Sequence, residues 1–159
     1  VPFEYLNPAA VGALYRRIGG TAQASLPGTI RELESRRTTP NGIFGLHLHL
    51  EQLSKPFKTI EASFRWIARF DRIVFLYRRD KLAQAISLYR SVQSSVWFET
   101  EKENGERLPD GWLLDPWAIA RHVGNLGGQE AMIRRGLAAL PKPVLEISYK
   151  MLDETFAAA

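Results

Sequence analysis

Apolar positions along the chain follow two periods, and the sharpest change of period falls near its middle. Ile73-Val74-Phe75-Leu76-Tyr77 is a continuous apolar run that predicts a buried strand over residues 72–77. After Arg78-Arg79 the spacing becomes helical at once and stays so to about Trp97. Within that predicted helix Leu82, Ile86, Tyr89, Val92 or Gln93, and Val96 share one stripe, expected to face the core. Gln84, Ser87, Ser91 and Ser94 form a second stripe of small polar residues. Such a face suits either close approach by a ligand or tight packing against a neighbouring helix, and the spacing leaves both open.

The other elements are read in the same way. Asn7-Pro8 predicts a helix start, with Asn7 as N-cap and Pro8 in the first helical position, and that helix should stop at Gly19-Gly20. Leu26-Pro27-Gly28 reads as a break, followed by a charged helix over residues 30–37. Thr39-Pro40-Asn41-Gly42 predicts a turn. Residues 43–50 alternate like a strand, with Phe44, Leu46, Leu48 and Leu50 on one face and Gly45, His47 and His49 on the other. An amphipathic helix is predicted over residues 57–70, with Ile60, Phe64, Ile67 and Ala68 inward.

Residues 99–110 are polar and predict a loop. Asp115-Pro116 opens a last helix to about Leu140, in which Gly124, Gly127 and Gly128 predict a kink. Pro141-Lys142-Pro143 leads into a final strand over residues 144–149. Helices alternating with short apolar strands predict an α/β fold, a parallel sheet with flanking helices.

Composition narrows the picture only in part. A length of 159 residues suits one domain, and 45% apolar with 24% charged residues is ordinary for a globular protein. The net charge of +4 and pI near 9.6 favour an anionic partner, whether nucleotide, nucleic acid or acidic lipid. Without cysteine there is no disulfide framework, thiolate nucleophile or Cys-based metal site, and the cytoplasm is the expected compartment. No apolar run approaches the roughly 20 residues that span a bilayer. The chain starts at Val1 with no signal-peptide pattern, and is expected to begin inside a longer protein.

Candidate chemistry gathers where the middle strand ends. Two arginines between a strand and a helix start form a potential anion site, because guanidinium groups and first-turn amides can address the same ligand. His47 and His49, two apart on a strand, are a possible metal pair, but no third ligand stands at a suggestive spacing, and they are expected to line a polar cleft or pack through hydrogen bonds. The pairs Arg36-Arg37, Arg78-Arg79 and Arg134-Arg135 keep open a catalytically silent nucleotide- or nucleic-acid-binding module. A kinase-like phosphotransferase is the other alternative, disfavoured by the lack of a Gly-x-x-x-x-Gly-Lys-Ser/Thr motif.

Four landmarks in order, spread over nearly the whole chain, carry a family likeness. They are Phe3-Glu4-Tyr5; residues 39–45, Thr-Pro-Asn-Gly-Ile-Phe-Gly; residues 78–87, Arg-Arg-Asp-Lys-Leu-Ala-Gln-Ala-Ile-Ser, with Trp97; and a terminal strand ending at Tyr149. Together they resemble the bacterial trehalose sulfotransferase family. The resemblance implies a sulfotransferase fold related to P-loop kinases. It implies 3′-phosphoadenosine 5′-phosphosulfate as donor, a carbohydrate or glycolipid hydroxyl as acceptor, no metal, no nucleic-acid partner and a homodimer.

By the same resemblance Arg78 and Ser87 grip the 3′-phosphate of the donor. Arg79 stands where relatives often carry proline, and either shares that phosphate or faces solvent. Glu4 matches the family's proposed general base. His47 takes a place where lysine is expected and is assigned to catalysis beside it. His49, Gln84 and Trp97 are assigned to the acceptor, Trp97 by stacking on a sugar ring, with Trp112 and Trp117 as further stacking candidates. The family's phosphosulfate-binding strand and loop are expected before Val1, and its nucleotide-covering segment after the final strand. The 159 residues are accordingly expected to form a single, incomplete sulfotransferase domain.

Overall fold

The computed structural model describes residues 26–54, 57–97 and 113–152, together with Arg16. The chain divides into two compact units, Val1–Arg69 and Phe70–Ala159.

In the first unit α1 (Leu26–Arg37) buries Ile30 and Leu33 and closes with Arg36 and Arg37 in its last turn, where cations suit the helix dipole. It starts earlier than the sequence predicts. Pro27 and Gly28 lie in the first turn, whose amides have no intrahelical acceptor, so a proline there breaks nothing. Glu32 pairs with Arg36 at 3.1 Å, and Glu34 binds Arg69 beyond α3. The predicted turn is present: the Gly42 N–H donates to the Thr39 carbonyl at 2.8 Å, and Gly42 takes the positive φ of +82°.

Residues 43–49 keep the predicted alternation, with Phe44, Leu46 and Leu48 half-buried and Gly45, His47 and His49 exposed. They form no strand, however, because no described segment pairs with them. Alternation reports which side is covered, whereas a strand also needs a neighbour's main chain. The short α2 (Leu50–Ser54) follows, with buried Gln52 accepting from the His49 N–H at 3.1 Å. The next helix, α3 (Ile60–Ile67), is shorter than predicted because Thr59 caps it, its side chain accepting from the Ala62 N–H at 3.1 Å. Its inward face carries Ser63, Phe64 and Ile67.

The second unit contains the sheet. β1 (Val74–Tyr77) pairs in parallel with β2 (Leu145–Ser148), Val74 opposite Leu145 and Tyr77 opposite Ser148. Between them the chain passes through α4 (Lys81–Ser94) and α5 (Pro116–Ala138). The predicted α/β arrangement, a parallel sheet with flanking helices, is therefore present as two strands with their helices. β1 is not buried on both sides as its apolar run predicts. Phe75 is buried and Tyr77 half-buried, whereas Val74 and Leu76 are exposed.

α4 and α5 pack through Ala85, Tyr89, Ala118 and Ile119, with Ile86, Val123 and Leu126 around them. That contact corrects the predicted core stripe, since Leu82 and Val92 are exposed and Ala85 is fully buried. α4 also stops at Ser94 rather than near Trp97. Ser95 turns left-handed at φ +59°, and the Ser94 hydroxyl accepts from the Val96 N–H at 3.2 Å. α5 runs through Gly124, Gly127 and Gly128 as one uninterrupted helix, started by Asp115, whose carboxylate accepts from the Trp117 and Ala118 amides. No helix among the described residues is long and apolar enough to cross a membrane.

Candidate functional site

Parallel pairing brings the carboxyl ends of β1 and β2 to one edge, the place where open α/β sheets usually bind ligands. Because Tyr77 is opposite Ser148, the residues that follow, Arg78 and Tyr149, emerge side by side. The Arg78 guanidinium lies over the Tyr149 ring, 4.3 Å from its centroid. This is a cation–π contact that orients the arginine without consuming its N–H donors. The strand ends at Ser148, one residue short of the predicted end, and Tyr149 opens one helical turn, residues 149–152, where the buried Ser148 hydroxyl accepts from the Met151 N–H at 3.3 Å.

The start of α4 is less open to an anion than the sequence suggests. Asp80 is its N-cap, and the carboxylate already accepts from the Ala83 N–H at 2.9 Å. Arg79 and Ser87 are exposed, and Arg78 is half-buried. Gln84 is half-buried as well, its side-chain oxygen accepting from the Lys81 ammonium at 3.2 Å. The small polar stripe thus has more than one use. Gln84 engages its own helix start, Ser94 ends the helix, and Ser87 stands open.

Behind the Arg78 loop runs a chain of charges. Lys81 binds Glu130 of α5 at 2.5 Å, and Glu130 also accepts from Arg134 at 2.9 Å. Arg134 binds Glu146 of β2 and lies over two rings of β1, 5.0 Å from the Phe75 centroid and 4.7 Å from that of Tyr77. Burial pushes the Glu130 carboxyl up, but hydrogen bonds from Lys81 and Arg134, with their charges, outweigh it and hold the group below its ordinary range. Arg134 is held above its own ordinary range by its hydrogen bonds to Glu146 and Glu130.

None of these four residues was singled out for such a role from the sequence. The Glu130–Arg134 spacing of four was a legible signal, and so was Lys81 at a helix start, an unfavourable place for a cation without a partner. The links from Lys81 to α5 and from Arg134 to β2 had no signal in the pattern.

In the first unit His47 and His49 are exposed and touch edge to face, with ring centroids 4.8 Å apart and planes at 63°. No group of three or more His, Cys, Asp or Glu side chains among the described residues could hold a metal ion. Trp97, just past α4, is 58% exposed, and Trp117 at the start of α5 is 81% exposed. Glu4 and Trp112 lie outside the described residues.

Parallel strands with flanking helices, and an arginine presented at the strand ends, define an α/β protein of the kind that handles ligands at that edge. The family model for Stf0 sulphotransferase matches residues 17–159, and the chain belongs to that family. Its activity is accordingly that of an enzyme transferring sulfate. No curated protein matches the chain.

Proposed function

We propose that the protein moves a sulfuryl group from 3′-phosphoadenosine 5′-phosphosulfate to a hydroxyl of a trehalose-like carbohydrate or glycolipid by in-line displacement. The observation that carries this reading is the half-buried Arg78, presented over Tyr149 at the carboxyl ends of the parallel strands. A guanidinium fixed in that way offers paired N–H donors to a phosphate. In this reading Arg78 and Ser87 bind the donor's 3′-phosphate, with Arg79 able to add charge from its exposed position.

The acceptor oxygen forms a bond to sulfur while the bond from sulfur to the donor's phosphate oxygen breaks. The acceptor's proton goes to a carboxylate, for which family likeness names Glu4, and adenosine 3′,5′-bisphosphate leaves. The same likeness gives His47 a part in catalysis as a hydrogen-bond donor, and His49, Gln84 and Trp97 parts in holding the acceptor. Exposure of the Trp97 ring supports stacking on a sugar face. The reading takes residues 1–159 as a single, incomplete sulfotransferase domain of a homodimer acting in the cytoplasm.

The test is incubation of the full-length protein, with the phosphosulfate-binding loop expected before Val1, with sulfur-labelled donor and either trehalose or glucolipids. Labelled, acceptor-dependent product is expected, and the absence of both product and donor binding would sink the proposal. Arg78→Ala should weaken adenosine 3′,5′-bisphosphate by about 1.5–3 kcal/mol, the cost of losing a charged hydrogen bond. Adenosine 5′-phosphate, which lacks the 3′-phosphate, should be little affected.

A further inference from the structure

Lys81 occupies the first position of α4, where a cation meets the positive end of the helix dipole and is ordinarily disfavoured. Its ammonium is drawn inward all the same: the side chain is 23% exposed and reaches Glu130 at 2.5 Å. It donates also to the Arg78 carbonyl and, at 3.2 Å, to Gln84 Oε1. An ammonium has three N–H donors, so these three acceptors use its whole capacity. A phosphate oxygen could gain one only by breaking a contact already made.

Glu130 is held in turn by Arg134, which is bound to Glu146 of β2 and lies over Phe75 and Tyr77 of β1. The contacts therefore begin on the sheet and end on the main chain of Arg78. A bare carboxylate this near a phosphate site would repel the ligand, but Glu130 is flanked by two cations and works as a tie between them. We infer that Lys81 and Glu130 are positioning residues for the donor: through the Arg78 carbonyl they hold the β1–α4 loop so that the Arg78 guanidinium faces the ligand. This rests on the proposed role of Arg78. Two basic residues at this strand-to-helix junction then have different work, Arg78 touching the anion and Lys81 setting where Arg78 stands.

Calorimetric titration of the protein with adenosine 3′,5′-bisphosphate and with adenosine 5′-phosphate tests this, with thermal melts to show that each variant is folded. Lys81→Met should weaken the bisphosphate about tenfold and Glu130→Gln about threefold, lowering its preference over the monophosphate. Placed in an Arg78→Ala background, both changes should have no further effect. A Lys81 that touched the phosphate itself would still matter in that background, and such a result overturns the inference. Unchanged bisphosphate affinity in folded Glu130→Gln does the same. If Arg78→Ala alone leaves affinity intact, the role of Arg78 falls and takes the inference with it, an outcome distinct from the other two. Should Lys81→Met fail to fold, Glu130→Gln, which preserves size, carries the comparison alone.

Discussion

Arg78 shows how much of a side chain's function lies in what sits beneath it. Its position after an apolar strand and before a helix makes it a candidate anion ligand from sequence, and the structure leaves it half-buried at that junction. The Tyr149 ring under its guanidinium comes from the other end of the chain and is set by strand register. An exposed cation–π contact contributes about 0.5–1 kcal/mol, so Tyr149→Leu should weaken adenosine 3′,5′-bisphosphate roughly two- to fivefold with little loss of stability. Titration beside the wild type checks it. Ser87 was assigned to the same phosphate by resemblance; its exposed hydroxyl predicts that Ser87→Ala lowers affinity by about 1.5–3 kcal/mol without a change in melting temperature. The sequence by itself gives Lys81 no partner, because its meaning depends on Glu130, far along the chain and on a different helix.

Among the elements, α4 departs most from its predicted orientation. Periodicity placed Leu82 and Val92 inward, yet α5 packs on the side of Ala85 and Tyr89. Helical spacing separates faces without saying which face a neighbour takes, and a small residue can be the one that lets two helices approach. Ala85→Leu should therefore overpack this contact and cost about 1–3 kcal/mol in denaturant unfolding. The helix α5 offers the opposite case. A Cβ added at Gly124 or Gly128 meets nothing within 4 Å, and neither residue has a positive φ. Gly124→Ala and Gly128→Ala should each stabilise the protein by about 0.5–1 kcal/mol, read from the unfolding midpoint. These glycines do not interrupt the helix, since their propensity cost is small beside the packing of Ala118, Ile119 and Leu137.

For the molecule as a whole, the ion-pair chain makes acid the condition to examine. The Glu130 carboxyl is depressed in the folded protein, so the folded state binds fewer protons than the unfolded state through the carboxylate range. Its contribution is complete above the ordinary glutamate value of about 4.3 and is lost as pH falls through the lower folded value. Stability and bisphosphate affinity should decline together there, and the Glu130→Gln variant should show a shallower decline in stability. Parallel acid-unfolding curves for the two proteins give the comparison. The net charge of +4 does not itself locate a binding surface, because Arg134, one of the basic pairs read from the sequence, is occupied by two carboxylates.

From sequence alone the two paired strands, the helices around them, the α/β class, the Thr39–Gly42 turn and the sulfotransferase family were legible, because propensity, capping and local motifs act between residues close along the chain. Tertiary structure decided what local pattern cannot encode. Pairing of β1 with β2 set Tyr149 beneath Arg78, packing of α5 chose the buried side of α4, and the absence of a described partner left the alternating residues 43–49 outside any strand. Each of these depends on which distant segment arrives to supply a ring, a carboxylate or a main-chain acceptor. Arg78 was readable as a candidate for an anion site, but the ring beneath it and the ion pairs behind its loop were gathered only by folding.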